Sequence, residues 1–235
     1  SAALGEAMGA DEAARFEAAA AARVARRPVA QIVGRRAFWG RDFIVTPDVL
    51  DPRPETETLI DWALNGEPPR RILDLGVGSG CILLTLLAEW PGAEGVGVDA
   101  SPAALSVAAR NAVVLGVAGR ARLIVGDWFA GVEGAFDLVV SNPPYLSDAE
   151  MADIAPELAC EPRGALAGGA DGLDAYRIIA GGLAARLARG GRAALEIGPT
   201  QGAAVAGLLR AAGLRDVDIR ADLDNRPRIV TARRD

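Results

Sequence analysis

The stretch Ser141-Asn142-Pro143-Pro144-Tyr145 gathers hydrogen-bond acceptors at the end of an apolar run, Phe136-Asp137-Leu138-Val139-Val140. Its two prolines remove two backbone donors and fix φ, so the chain there is stiff and extended. What remains is the Asn142 side-chain oxygen, the Pro143 carbonyl and the flat ring of Tyr145. That set suits gripping a planar NH2 group through both of its hydrogens. An amide or exocyclic amine nitrogen is a weak nucleophile because its lone pair is delocalised. Two acceptors holding both N–H groups turn that lone pair toward an electrophile, and proximity with in-line geometry does the rest. No strong base is needed. The competing reading is a rigid turn leaving a strand, which Asn-Pro and Pro-Pro steps also make.

The chain offers little other chemistry. It has no His, and all 25 basic residues are Arg. A His-based triad, a His metal site and a Lys Schiff base are therefore excluded. Cys81 and Cys160 are far apart and form no CxxC, so no metal or redox motif is present, and reduced thiols in a cytoplasmic protein are expected. The net charge of −6 disfavours sequence-independent binding to naked nucleic acid. No apolar run approaches the ~18 residues of a membrane span, and no signal peptide is visible. At 235 residues and 51% hydrophobic, the chain can bury a sizeable core.

The elements that must position Asn142 follow a strand–helix alternation from residue 70 onward. Strands are expected at 71–75, 94–98, 121–125, 136–141 and 192–197, with helices at 81–89, 102–115, 176–188 and 201–212. Two last strands fall near 217–220 and 228–232, and an insertion spans 146–171. This pattern means a parallel α/β sheet. Ahead of it, 11–27 reads as a helix capped by Asp11 and stopped by Pro28. Residues 29–45 read as a hairpin turning at Gly34-Arg35-Arg36. A proline-rich connector leads to a helix over 55–64.

In such a sheet ligands bind at the carboxyl ends of the strands, near the switch point. Four consecutive strand ends carry special residues: Asp74 through Gly80, then Asp99, then Asp127-Trp128, then Asn142. The turn Gly76-Val77-Gly78-Ser79-Gly80 is not a dinucleotide fingerprint, because the third position of G-x-G-x-x-G would be Cys81. No Lys follows it, so it is not a P-loop. With acids ending the first two strands and an acid–aromatic pair after the third, the set suits S-adenosylmethionine, Asp99 taking the ribose and Asp127-Trp128 flanking the adenine. Taken singly, Asp127 could be a helix N-cap and Trp128 a core residue.

These blocks together resemble the release-factor glutamine N5-methyltransferases (the HemK/PrmC family). The matching pieces are Pro52-Arg53-Pro54-Glu55-Thr56-Glu57, Asp74 through Gly80, Asp127-Trp128-Phe129, Ser141 through Tyr145, Glu161-Pro162-Arg163, Gly168 through Leu173 and Leu195-Glu196-Ile197-Gly198. Asn-Pro-Pro-Tyr alone is shared with adenine N6 methyltransferases; the first and fifth blocks are what separate the two. The resemblance implies a Rossmann-like S-adenosylmethionine-dependent methyltransferase sheet over 51–235, preceded by a β-hairpin connector over 29–50. Residues 1–28 would be the remnant of a helical domain that docks the substrate.

It further implies that Asp74, Gly76, Val77, Gly78, Ser79, Gly80, Asp99, Asp127, Trp128 and Asn142 bind the cofactor. Asn142, Pro143, Pro144 and Tyr145 would grip the glutamine of the Gly-Gly-Gln loop of a peptide chain release factor, with Asn142, Pro143 and Tyr145 catalytic. A monomer with no metal and no direct nucleic-acid or membrane partner is expected. Asp51 and Val77 depart from the family's usual residues. Arg53 and Glu57 either line the site or are surface charges; Glu161 and Arg163 read as loop ion pairs rather than catalysts. The competing functions are an adenine N6 methyltransferase, which would use the same grip, and a silent scaffold of the same fold, which would have no need of an intact Asn142–Tyr145 stretch.

Overall fold

A computed structural model describes residues 9–235. The first eight residues of the expected N-terminal segment lie outside that range. A helix, α1 (Ala10–Val24), comes first. Its N-cap is Gly9 rather than Asp11, and Glu12 reaches back to accept from the Gly9 N–H at 3.1 Å. It ends before Arg27 because Arg26 adopts a φ of +67°, and the Arg27 N–H closes back on the Ala22 carbonyl.

The expected hairpin over 29–45 is corrected. Val29–Val33 forms a short helix, α2, with Pro28 at its N-cap and left-handed Gly34 at its end. Pro and Gly at the two ends override the β-leaning Ile and Val between them. The hairpin is β1 (Arg35–Phe38) against β2 (Arg41–Ile44), turning at Trp39-Gly40. Both turn residues have positive φ, +47° and +67°, the I′ geometry that matches strand twist. Glu57 holds this turn by accepting from the Trp39 N–H at 2.7 Å. A 3-10 turn at Pro54–Thr56 leads into α3 (Glu57–Leu64).

The rest alternates as expected: β3 (Arg71–Leu75), α4 (Cys81–Glu89), β4 (Glu94–Asp99), α5 (Pro102–Val114), β5 (Ala121–Val125) and β6 (Phe136–Ser141). The insertion contains a short helix, α6 (Asp148–Ala152), and then come α7 (Asp174–Arg186), β7 (Leu187–Glu196), α8 (Gly202–Ala211), β8 (Arg215–Ala221) and β9 (Pro227–Arg233). The seven-stranded sheet has the order β5-β4-β3-β6-β7-β9-β8. β3, β4, β5, β6 and β7 run parallel, and β9 is antiparallel to both β7 and β8.

Strand periodicity sorts the core into two layers. Ile72, Leu138, Val140 and Ala194 pack under α3, α4 and α5, with Phe38 and Phe43 of the hairpin. Leu73, Leu75, Val139, Ala193 and Leu195 pack under α7 and α8. The chain leaves the sheet centre in opposite directions from β3 and β6, so the switch point lies between these two neighbours. The glycine turn and Asn142 follow those two strands. Among the described residues, no helix is long and apolar enough to cross a membrane.

Candidate active site

The glycine turn after β3 runs Gly76, Gly78 and Gly80 at φ of +74°, +52° and +83°, a region that costs an L side chain strain. It folds back over β4: the Gly76 and Val77 N–H groups both donate to the Val98 carbonyl at 2.9 Å. Asp99 ties the turn to the next helix, its Oδ2 accepting from Gly78 N–H and its Oδ1 from Ser101 N–H, each at 2.9 Å. Each carboxylate oxygen keeps a further lone pair for a ligand hydroxyl.

Asp74 stands beneath the turn rather than in its wall. It is 1% exposed, accepts from the Leu83 N–H at the start of α4, and has an unpartnered Oδ1 among the described residues. Burial, with Asp99 nearby, pushes its acid up to about 8. Asp74 is thus mostly a neutral carboxyl at pH 7.

A cavity of about 370 Å³ opens in front of the turn. Of the expected site residues, Gly76, Val77, Gly78, Ser79, Asp99, Asp127, Trp128, Asn142 and Pro144 line it together. Asp74, Gly80, Pro143 and Tyr145 do not; Tyr145 instead borders a second depression with Gly198 and Gln201. Trp128 holds a φ of +49°, an outlier for an aromatic residue, and packs partly against the α7–α8 layer while facing the cavity. Asp127 is exposed and caps no helix, its carbonyl taking the Ala130 N–H.

Asn142 is oriented from the connector. Its Nδ2 donates to Thr56 Oγ1 at 3.3 Å, which leaves Oδ1 for the cavity. No described donor reaches Oδ1 or the Pro143 carbonyl. The Asn142–Tyr145 main chain is pinned by residues distant in sequence. Gln201 Nε2 donates to the Tyr145 carbonyl at 2.9 Å and to the Gly172 carbonyl at 3.1 Å, while its Oε1 accepts from Gly198 N–H. Gly172 lies so close that a Cβ there would come within 2.3 Å of the Tyr145 oxygen. Burial, with Glu196 nearby, raises the Tyr145 phenol above its ordinary value, so the ring stays neutral.

The proline-rich connector and the insertion meet over the cavity. Arg53 Nη2 contacts Glu161 Oε1 at 2.5 Å, and Arg53 and Arg36 lie 3.9 and 3.7 Å from the Asp51 carboxylate. Glu161 and Asp51 are 6% and 5% exposed, and desolvation raises both acids despite the arginines. Arg53 thus lines the cavity, Glu161 is its ion-pair partner, Glu57 holds the hairpin turn, and Arg163 is exposed. Sequence reasoning on single motifs passed over Thr56 and Gln201. Their signal was position inside or just after a matching block; their role is visible only once the strands bring them beside Asn142 and Tyr145.

A family model described as "Methyltransferase small domain" matches residues 54–171. The release factor glutamine methyltransferase of Cereibacter sphaeroides is 61% identical over 224 residues, covering 95% of this chain and 80% of that protein. The chain belongs to this family. A second member, from Rhodospirillum rubrum, is 51% identical over 95% of this chain and 70% of its own length. Among solved structures, the hMettl16 catalytic domain superposes with a TM-score of 0.69 at 18% identity, covering 87% of this chain and 80% of that one. A methyltransferase from Pyrococcus furiosus superposes at 0.64 and 16% identity, covering 96% and 98%. At these identities the two structures speak for the fold alone, a Rossmann-like α/β sheet. Membership in the family makes the chain an S-adenosylmethionine-dependent methyltransferase.

Proposed function

We propose that the chain transfers the methyl group of S-adenosylmethionine to the N5 side-chain amide of the glutamine in the Gly-Gly-Gln loop of a peptide chain release factor. The observation that carries the site assignment is the free acceptor Asn142 Oδ1 on a cavity floored by the glycine turn, with the Pro143 carbonyl next to it in the chain. The cavity's residues fit the cofactor. The open glycine backbone admits close approach, Asp99 has lone pairs for the ribose hydroxyls, and Trp128 offers a flat face for the adenine. The bound cofactor supplies a methyl group on a positively charged sulfur.

The chain's own residues do the rest by holding the acceptor. Asn142 Oδ1 and the Pro143 carbonyl accept the two N–H groups of the glutamine amide. That grip fixes the amide plane and turns the nitrogen lone pair toward the methyl carbon. Pro144 forms a rigid wall against the planar group, and the phenol of Tyr145, which follows it, stays neutral and brings no charge near it. The new N–C bond forms as the C–S bond breaks, and one amide proton leaves to water. Most of the acceleration comes from orientation, for which a preorganised pair of hydrogen bonds suffices.

The test is a transfer assay with methyl-labelled cofactor and three acceptors in parallel: a release factor, its Gln→Ala loop variant, and an adenine-containing oligonucleotide. Label should appear on the unaltered factor alone. Label on the oligonucleotide and not on the factor overturns the assignment.

A further inference from the structure

The wall behind Asn142 holds an acid that the chemistry above does not use. Glu196 ends β7. Ser141 and Leu195 are register partners on β6 and β7, so the next residues, Asn142 and Glu196, stand side by side. Glu196 is 2% exposed, and its Oε2 has no hydrogen-bond partner among the described residues. A buried carboxyl left half-paired is expensive, and nothing in the core packing calls for it. The groups facing it are Arg228 from β9, Arg53 and Glu55 from the connector, Tyr145 after β6, Tyr176 on α7 and Cys81 on α4. The Thr56 hydroxyl lies within reach of its carboxyl, and the same hydroxyl accepts from Asn142 Nδ2.

Thr56 is 1% exposed and owns one hydroxyl proton. When Glu196 is ionised it can only accept, and the Thr56 hydroxyl donates its one hydrogen to it. The Thr56 oxygen then has only lone pairs to offer Asn142, so the amide must present its NH2 to Thr56 and its Oδ1 to the cavity. When Glu196 is protonated, or replaced by a group that donates, the hydroxyl proton is free to go to Oδ1. The flipped amide then offers donors to a substrate group that is itself a donor.

We propose that Glu196 is a positioning residue that acts through Thr56 to hold the Asn142 side-chain amide in its accepting orientation. The proposal rests on the reading of Asn142 as the acceptor of the substrate NH2 group. Burial brings the Glu196 acid to about 7, so the switch between the two orientations falls inside a workable pH range. The methylation rate rises with pH through that value.

The experiment compares wild type, Glu196→Gln, Thr56→Val and Thr56→Ser at full length, reading kcat and KM for the release factor from pH 6 to 9, with cofactor affinity by calorimetry. Glu196→Gln lowers kcat about 10- to 100-fold at pH 8, the scale of one misdirected hydrogen bond at a reacting group. KM and cofactor affinity stay within about threefold, and the acid limb of the profile disappears. Thr56→Val gives a similar loss, Thr56→Ser restores the wild-type profile, and the double variant is no slower than either single one. A Glu196→Gln enzyme with unchanged kcat, or one keeping the same acid limb, overturns the proposal.

A second readout needs no turnover. In protein labelled with 15N at asparagine side chains, the Asn142 NH2 resonance shifts with pH through about 7 in wild type and not in Glu196→Gln. An Asn142 resonance that ignores Glu196 overturns the proposal even if the enzyme is active. A resonance that follows Glu196 in a protein that methylates no release factor upholds the proposal while the substrate assignment fails.

Discussion

The two sides of the cavity are built by opposite means. The side after β3 and β4 is local: a five-residue turn whose backbone bonds to the next strand, and one aspartate that ties the turn to the following helix. The side after β6 is remote. Asn142 is held by Thr56, 86 residues earlier; Tyr145 by Gln201, 56 residues later; and the roof by an Arg53–Glu161 pair 108 residues apart. The proposed cofactor wall is thus a backbone device, while the proposed acceptor wall is a side-chain assembly that exists only in the folded sheet. Damage to the first should act on cofactor binding and damage to the second on transfer.

The sharpest break in that comparison is a pair of glycine substitutions. Gly80→Val places a branched side chain at a φ of +83° with its Cβ 2.6 Å from Leu84. It should cost roughly 2–4 kcal/mol of stability and abolish cofactor binding, read by urea melts and calorimetry. Gly172→Ala drives a Cβ to 2.3 Å from the Tyr145 carbonyl. It should lower transfer about 100-fold, the scale of a misplaced reacting group, while cofactor affinity stays close to wild type. If both variants lose cofactor and transfer in proportion, the division between the walls does not hold.

The next effect is on the roof. Arg53→Ala strands the buried Glu161 and Asp51 carboxylates, and breaking a buried pair from one end is costly. Because Arg53 is itself about a third exposed, the loss should be roughly 2–3 kcal/mol in urea denaturation. Adding Glu161→Gln should recover part of it. Gln201→Ala is milder. It removes two donated hydrogen bonds behind Tyr145 and should lower kcat about tenfold with unchanged cofactor affinity.

The smallest effect is a pH slope in stability. Asp74 and Glu196 both have folded acids raised by burial, to about 8 and about 7. A raised folded acid stabilises the protein below its unfolded value, and that contribution is lost as pH rises through the folded value. Stability should therefore fall between about pH 4 and pH 8. Asp74→Asn can keep the Leu83 bond and should flatten the slope, gaining on the order of 1–3 kcal/mol at pH 9 and little at pH 4. Urea melts at the two pH values check it.

The same contrast explains what could be read before folding. Period-2 strands, glycine spacing and acids at strand ends are local signals, and the Rossmann-like sheet and the glycine turn at its switch point followed from them. Asn142, which lines the cavity, stands out in sequence because an acceptor beside two prolines is locally odd. Thr56, Gln201 and Glu196 carry no local oddity; their meaning comes from register and crossover. The hairpin was misplaced because Gln31-Ile32-Val33 lean toward strand while Pro28 and Gly34 at their ends impose a helix. Asp74 looked like a ligand because an acid ends β3, but strand alternation turns it toward α4.

The division of labour meets its most direct test at Asn142→Ala, which removes the accepting oxygen without touching the glycine turn. Cofactor affinity by calorimetry and the single-turnover transfer rate to a release factor should be measured on the same preparation. Affinity should stay within about threefold while the rate falls at least about 100-fold, the loss expected for one preorganised hydrogen bond at a reacting group. A rate that survives, or an affinity that collapses with it, contradicts the assignment of Asn142 as the acceptor that holds the substrate amide.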